Sequence, residues 1–429
     1  MSHHELGTAA AAADQAADLA WAGRHEDVLV LCTRALGPDS PGRTLAQPGL
    51  GAADAARLLA LRSESHFALG QFALALADAD EMLARAGTAR RRGKAAARAG
   101  VARANTAAAH GARAMALMRL GRLAEAVTAA YAAVVAAGNS AATRARALLC
   151  RAEASFRTGL FDSGLADARS GLALFEIQGD VSGQARTLWA LGFCHLYQGQ
   201  IEPAREATAR GLPLSRACGD DFALGNLLNL QNLWEADLAT RLRAFREAQA
   251  AFSRAGYRER VLSMDINLGT VFSALGLPER SLRLDAQVCH QARAMQAEGA
   301  LLIALHNMAR SAQVLDQLAE ARHLLAEAEA LQARIQDPGM DAFLARGRAD
   351  LALAEGRPAQ AVRGLRAQFA RLDAHSRMGD RLELPTELAR ALLALGQPRA
   401  ALRHTTAATT LHRDTGLVPH TGADSPEIW

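Results

Sequence analysis

The chain has 429 residues and a net charge of +4; half of its residues are apolar, 21% are charged and 4% are aromatic. This apolar content excludes a disordered chain, and the scarcity of aromatic residues argues against a β-sandwich or β-barrel. Abundant Ala and Leu favour helices, because Ala loses no side-chain entropy there. So small a net charge does not indicate a nucleic-acid partner.

The spacing of the cysteines and the lack of a recognisable targeting signal predict a cytoplasmic protein. The cysteines are too few and too widely spaced for a disulfide framework or a zinc site, so we expect buried thiols in a reducing compartment. They are Cys32, Cys150, Cys194, Cys218 and Cys289. The sequence shows neither a secretory signal nor an apolar run of membrane-spanning length. We therefore expect a cytoplasmic location without membrane contact.

In chain order, the pattern predicts four regions. Residues 1–36 are expected to form a degenerate first helix hairpin. Residues 37–51 hold three prolines and four glycines, which predicts a loop. A repeat array of helix hairpins is expected over 52–415. Residues 416–429 are expected to be a tail or the start of a truncated further helix, because Ser425 and Pro426 resemble a helix start.

The repeat is identified by its turns. Gly356 and Gly396 lie 40 residues apart, and each is followed two residues later by proline, as is Gly276. Glycine ends a helix in the left-handed conformation, and proline suits the first turn of the next helix. Turns are predicted near positions 70, 121, 159, 199, 239, 276, 316, 356 and 396. Residues seven before and five after these turns are mostly Ala, Gly or Ser, which lets two helices approach closely.

This spacing of small residues and turn glycines resembles the tetratricopeptide repeat. The period of about 40 residues is similar to the bacterial variant in maltose-type transcription activators and in sensory arms of cyclases. The resemblance implies an all-α solenoid of antiparallel hairpins wound into a right-handed superhelix. It also implies that the first helix of each hairpin lines a concave binding face.

No motif for catalysis, nucleotide binding or metal binding is found, so we expect neither an enzyme nor a cofactor. The strongest charge feature is the basic segment 85–103, which carries seven positive charges and no acidic residue. Two interpretations of this segment stay open: contact with an anion or nucleic acid, and a solvated helix. We favour the solvated helix, because no aromatic residues are interleaved for stacking on bases.

Polar residues recur on the predicted concave face, and these are the candidate partner-binding residues. Asn amides can pair with the backbone of an extended peptide, and Arg guanidinium groups suit carboxylates. The candidates are Asn229, Asn232, Asn267, His306, Asn307, Arg310, Arg346 and Arg390. The alternative for the asparagines is bonding between neighbouring repeats, and for the arginines it is solvated charge. Trp189, Phe193 and Tyr197 form a stripe that we interpret as core packing rather than a ligand platform.

Two functional hypotheses follow. The first is a non-enzymatic scaffold that binds a peptide or partner protein on its concave face. The second is the sensory or regulatory arm of a bacterial signalling protein, a cyclase or a transcription activator, without its output domain. The partner is expected to be a protein or peptide rather than nucleic acid, and a homo-oligomer stays open.

Overall fold

The computed structural model describes residues 3–37, 50–91, 96–372, 376 and 378–415. Every regular element in these ranges is an α-helix, so the predicted all-α solenoid is confirmed. Most of the predicted loop at 37–51 lies outside the described residues. The C-terminal segment 416–429, on which the hypothesis of a missing output domain depends, lies wholly outside them.

The helices alternate between two roles along the chain. The first helices of the hairpins are α1 (His3–Trp21), α3 (Ala52–Ala68), α5 (Ala96–Arg119), α7 (Ala141–Arg157), α9 (Val181–Tyr197), α11 (Asp221–Gln231), α13 (Arg258–Ala274), α15 (Glu298–Val314), α17 (Pro338–Ala354) and α19 (Met378–Ala394). The second helices are α2 (His25–Leu36), α4 (Phe72–Arg91), α6 (Leu123–Ala137), α8 (Phe161–Gln178), α10 (Ile201–Cys218), α12 (Leu238–Arg254), α14 (Pro278–Met295), α16 (Leu318–Ile335), α18 (Pro358–Phe369) and α20 (Pro398–Thr415).

The hairpin turns use glycine in the left-handed conformation. Gly276, with φ of 72°, donates its N–H to the Ser273 carbonyl, and the next N–H, that of Leu277, reaches back to Phe272. These two bonds satisfy carbonyls at the end of α13 that have no partner within the helix. Pro278 then begins α14. Asp316 takes the same left-handed conformation at the turn between α15 and α16, with φ of 59°.

The turn expected near position 239 is displaced. Ala239 lies inside α12, and the connection occupies residues 232–237 instead. The cause is local: Asn232 already ends the short helix α11. The Asp237 carboxylate then caps α12 by accepting a hydrogen bond from the Thr240 N–H at 2.8 Å. An N-cap of this kind fixes where a helix begins, so the repeat template fails at this position.

Small residues lie where helices touch. A Cβ atom added to Gly192 would come within 2.5 Å of the Leu230 side chain, and one added to Gly164 within 2.8 Å of the Cys194 sulfur. The first helices of most successive hairpins also pack directly on one another, whereas the second helices do not pack together in this way. The first helices therefore form the inner face of the curve. The architecture is a tetratricopeptide-like α-solenoid.

The solenoid turns far enough that its later hairpins stack on its earlier ones. The turn between α1 and α2 lies against the connection between α12 and α13, where the Nε2 atom of His25 lies 3.0 Å from the Ala255 carbonyl oxygen. The turn at Gly70 similarly lies against Met295 in the second winding. Tyr257 donates its hydroxyl to Glu64 at 3.2 Å and packs edge-on against Phe67. Residues far apart in sequence thus meet where the later hairpins stack on the earlier ones. We call this contact the seam between the two windings of the solenoid.

Close packing at the small positions predicts a strong position dependence for valine substitutions of glycine. Gly192→Val should lower the free energy of unfolding by about 1–3 kcal/mol, because the larger side chain overpacks the contact with Leu230. The matched control is Gly364→Val, since Gly364 also lies inside a helix but a Cβ there would have no atom within 4 Å. Urea denaturation of both variants measures the difference. Equal losses in the two variants would contradict the assignment of Gly192 to a helix contact.

Candidate partner-binding face

Three successive first helices carry charged residues at one repeat position on their inner side. Arg310 lies on α15, Asp350 on α17 and Arg390 on α19, each 40 residues after the previous one. The Nε atom of Arg310 lies 3.5 Å from the Asp350 carboxylate, which also pairs with Arg390. Arg390 donates a second hydrogen bond to Glu387 at 2.8 Å. The result is a ladder of alternating charge across three hairpins.

A second row of charge lies deeper on the same helices. The guanidinium of Arg346 pairs with Glu383 and lies 5.6 Å from the centre of the Phe343 ring. Phe343 in turn packs against the ring of His306, with 3.7 Å between the ring centres and the two planes tilted by 35°. Arg346 and His306 are buried. We call these residues and the ladder, Arg310, Asp350, Arg390, Glu387, Arg346, Glu383, Phe343 and His306, the inner charged face.

Solvent access differs sharply within the inner charged face. The side chain of Arg390 is 51% exposed and that of Arg310 is 21% exposed. Burial lowers the pKa of Arg310 despite the facing Asp350. For Arg390 the carboxylates of Asp350 and Glu387 outweigh burial and raise the pKa above its usual value. Part of each arginine side chain is accessible from outside.

The predicted asparagines are buried as well. Asn267 donates its side-chain N–H to the side-chain oxygen of Asn229 at 2.8 Å, which links α13 to α11. Asn232 is buried at the end of α11, and neither of its amide atoms has a hydrogen-bond partner within the described residues. Asn307 is also buried. For Asn229 and Asn267 the structure thus shows the bond between neighbouring hairpins that the sequence left open as an alternative.

Sequence reasoning missed the acidic half of the inner charged face. Asp350, Glu383 and Glu387 were not among the candidates, although each pairs with a predicted arginine. The signal was present, since positions 310, 350 and 390 fall in one register of the repeat. Comparing residue types at equal repeat positions, rather than looking for Arg and Asn alone, would have found Asp350.

The aromatic stripe on α9 belongs to the core. Trp189 and Phe193 are buried, and Phe193 stacks on Phe156 of α7 with 5.4 Å between ring centres. Tyr197 continues the row by stacking on Phe161 at 5.5 Å. The stripe therefore joins α7, α8 and α9, as the sequence suggested.

Burial raises the pKa of the four buried cysteine thiols. All five are free, and all except Cys218 are buried. Burial raises the pKa of Cys32 to about 11 and that of Cys194 to about 12. Within the described residues, no cluster of His, Cys, Asp and Glu is arranged to hold a metal ion. No helix in that part of the chain is long and apolar enough to cross a membrane.

Comparison with known proteins finds matches among solved structures only. No family model matches the chain, and no curated protein matches it. Among solved structures, a Rap protein complexed with competence and sporulation factor is 9% identical, with 96% of this chain and 99% of that chain covered and a TM-score of 0.42. The quorum sensor NprR from B. thuringiensis is 12% identical over 94% and 97% of the two chains, with a TM-score of 0.38. A signal-transduction ATPase with a tetratricopeptide repeat sensor, from Pyrococcus horikoshii, is 10% identical over 79% of this chain and 53% of that chain, with a TM-score of 0.48.

Burial of His306 predicts a specific dependence of stability on pH. Burial, with Arg310 and Arg346 nearby, holds the pKa of His306 well below 6.5. The unfolded chain therefore binds a proton that the folded chain does not, and stability is lost as the pH falls below about 6.5. The loss from this one group approaches about 1.4 kcal/mol per pH unit.

The measurement is urea denaturation between pH 7.5 and 5 for the wild type and for His306→Gln. His25, His110, His195 and His404 have pKa values lowered in the same direction, so the wild type and the variant should both lose stability. The variant should lose less per pH unit. Only the slope is compared, because the substitution also changes packing on Phe343. Identical slopes would show that His306 is not held neutral in the folded protein.

Proposed function

We propose that the solenoid binds an extended segment of a partner protein along the inner face of α15, α17 and α19. The observation that carries this proposal is the ladder Arg310–Asp350–Arg390. It places charges in one line across three hairpins and leaves Arg390 half exposed. A row of regularly spaced, accessible charges on a rigid inner surface suits the recognition of an extended chain better than that of a compact small molecule.

The spacing of the ladder fits an extended polypeptide. Packed helices lie about 8–10 Å apart, so each step of the ladder corresponds to about three residues of an extended chain, which rises about 3.3 Å per residue. Arg390 uses its Nε and Nη2 atoms in its ion pairs with Glu387 and Asp350. A guanidinium carries five N–H donors, so donors remain for an acceptor from the partner.

The charges within the inner charged face favour a partner segment of mixed charge. Arg310, Arg346 and Arg390 are balanced by Asp350, Glu383 and Glu387. A uniformly acidic tail would be repelled by those carboxylates as strongly as it is attracted by the arginines. A segment with alternating acidic and basic side chains can exchange ion pairs with the ladder without leaving a charge unpaired.

The eight candidate partner-binding residues fall into two groups, accessible and buried. Arg310 and Arg390 are accessible and would contact the partner directly. The other six, Asn229, Asn232, Asn267, His306, Asn307 and Arg346, are buried and would support the face from beneath. Charge reversal at Arg346 is therefore a poor test of binding, since it would place a carboxylate against Glu383 in a buried site.

Selection of displayed peptides tests the proposal. We expect a random 12-residue library to yield peptides of mixed charge that bind the wild-type chain. The double variant Arg310→Glu/Arg390→Glu should weaken their binding by at least tenfold, because both ladder arginines are lost. The matched control is Arg363→Glu on the outer helix α18, where Arg363 is exposed. Affinity is measured by isothermal titration, and circular dichroism checks that the variants are folded.

Two results would contradict the proposal. If no peptide is enriched over a library panned on an unrelated helical protein, the chain does not bind extended segments. If the selected peptides bind the double variant and Arg363→Glu with the same affinity as the wild type, binding occurs on a different surface and the assignment to α15, α17 and α19 is wrong.

A further inference from the structure

The seam between the two windings contains a cavity of about 1010 Å³, and its lining includes no residue of the inner charged face. The first winding contributes the turn between α1 and α2 and the turn between α3 and α4. The second winding contributes the connection between α12 and α13 and the last turns of α14. We call this space the seam cavity. Small-molecule sites in proteins usually measure about 300–1,000 Å³, so the seam cavity can hold one molecule of that class.

Side-chain bonds between the windings hold the walls of the seam cavity in place. The Nδ1 atom of His25 lies 3.1 Å from the Ser65 hydroxyl in the first winding, and its Nε2 atom lies 3.0 Å from the Ala255 carbonyl oxygen in the second. Because a carbonyl oxygen only accepts, the Nε2 atom donates this second bond. Glu26 and Arg258 form an ion pair between the windings at 2.5 Å. The walls are therefore formed before any ligand arrives.

Backbone contacts prevent the windings from moving together to fill the seam cavity. A Cβ atom added to Gly23 would lie 2.1 Å from the Arg254 carbonyl oxygen. One added to Gly70 would lie 2.7 Å from the Met295 sulfur. Both glycines line the seam cavity, so the two windings already touch at its edges. Since protein interiors are close-packed, a space of this size that cannot close is a site that a ligand can fill.

Part of the lining is apolar. Leu69 and Phe72 contribute from the first winding, and Val261 and Met295 contribute from the second. Leu74, also in the lining, keeps 52% of its surface exposed although its side chain is large and apolar. Covering apolar surface is favourable by about 25 cal/mol for each Å² removed from water. The lining therefore favours a ligand with an apolar body.

The charged side chains of the lining are already paired with one another. Arg24 lies 2.6 Å from the Asp27 carboxylate, and Arg258 pairs with Glu26 across the windings. A charged ligand would have to compete with these pairs. Amides and hydroxyls, by contrast, both donate to and accept from uncharged groups. The lining supplies such groups in the side chains of Gln71, Ser253, Gln291 and Gln296.

We propose that the seam cavity is a binding site for one uncharged amphipathic small molecule. Its apolar ring or chain would cover Leu74 and Met295, and its few hydrogen-bonding groups would pair with the amides of the lining. Because the two walls belong to different windings, the ligand contacts both. This site is separate from the inner charged face, so the proposal does not rest on the proposed function.

Fluorescence titration of the full chain tests the proposal with two matched probes. N-phenyl-1-naphthylamine is uncharged, carries one N–H group and fluoresces more strongly when it leaves water. Its sulfonated analogue, 1-anilinonaphthalene-8-sulfonate, has the same rings and one negative charge. We expect saturable binding of one molecule of the uncharged probe per chain. The sulfonate should bind about tenfold more weakly, because its charge loses water among side chains whose charges already balance.

Two variants, one in each wall, locate the bound probe. Ala294→Trp fills the seam cavity from an exposed position on α14, and Leu74→Asp places a carboxylate on the apolar part of the first winding. Each should weaken binding of the uncharged probe by about tenfold, because apolar contact is lost. The matched controls are Ala286→Trp, exposed on the same helix α14, and Leu402→Asp, 66% exposed on α20. Neither control residue lines the seam cavity, so both should bind like the wild type.

Three results would overturn the proposal. The first is a wild-type chain that shows no saturable binding of the uncharged probe. The second is wild-type affinity in Ala294→Trp and Leu74→Asp, which would place the probe elsewhere; if one of them does not fold, the other decides. The third is a sulfonate that binds as tightly as the uncharged probe, which would contradict a site for uncharged ligands.

Discussion

The seam between the two windings is the constraint on which the rest of the structure depends. There the last turns of α5 and α7 meet the first turn of α13, and buried charged residues are in contact at this point. Burying Arg and Glu together costs desolvation that only close pairing offsets, so such a joint tolerates few relative positions of the windings. Tyr257 adds a hydrogen bond to Glu64 and aromatic contacts to Phe67 beside it. Hydrophobic packing stabilises the contact between the two windings. The buried charged pairs restrict the relative positions that the windings can take.

Closure at the seam divides the inner surface into two kinds of region. Around α7, α9 and α13 the inner side chains are buried aromatic and charged groups, such as Phe193 and Arg260, which fill the space between helices. Along α15, α17 and α19 the inner side chains include Arg310 and Arg390, which are charged and partly exposed. The proposed partner would therefore contact the surface formed by α15, α17 and α19.

The all-α architecture could be predicted from the sequence because the start and the end of a helix depend on local chemistry. Glycine at Gly276 and proline at Pro278 specify a helix end and a helix start within a few residues. The displaced turn before α12 shows the limit of the pattern, since the Asp237 cap outweighs the repeat register there. Local chemistry at single positions thus explains both the turns that follow the repeat and the turn before α12 that departs from it.

The residues of the candidate sites were harder to predict. A repeat pattern predicts how neighbouring hairpins pack, but it does not predict which residues meet between the two windings. Nothing in the sequence places Arg119 beside Glu259, which lies 140 residues later. The template placed Arg310, Arg346 and Arg390 on inner helices, yet it gave no information on depth, so the burial of Arg346 was not foreseen. The asparagines share this ambiguity, because an amide that could bind a peptide can equally bond to the next hairpin, as Asn267 does to Asn229.

Small-angle X-ray scattering of the full chain tests the closed, two-winding structure most directly. A compact chain of this length has a radius of gyration of about 22 Å, and a solenoid whose windings stack should approach that value. Hairpins spaced about 10 Å apart in an unclosed, extended array would give a value of about 30 Å or more. We predict a radius of gyration close to the compact value, with a scattering profile that matches the two stacked windings. A value near that of the extended array would show that the seam does not form in solution, and it would also contradict the division of the inner face into two regions.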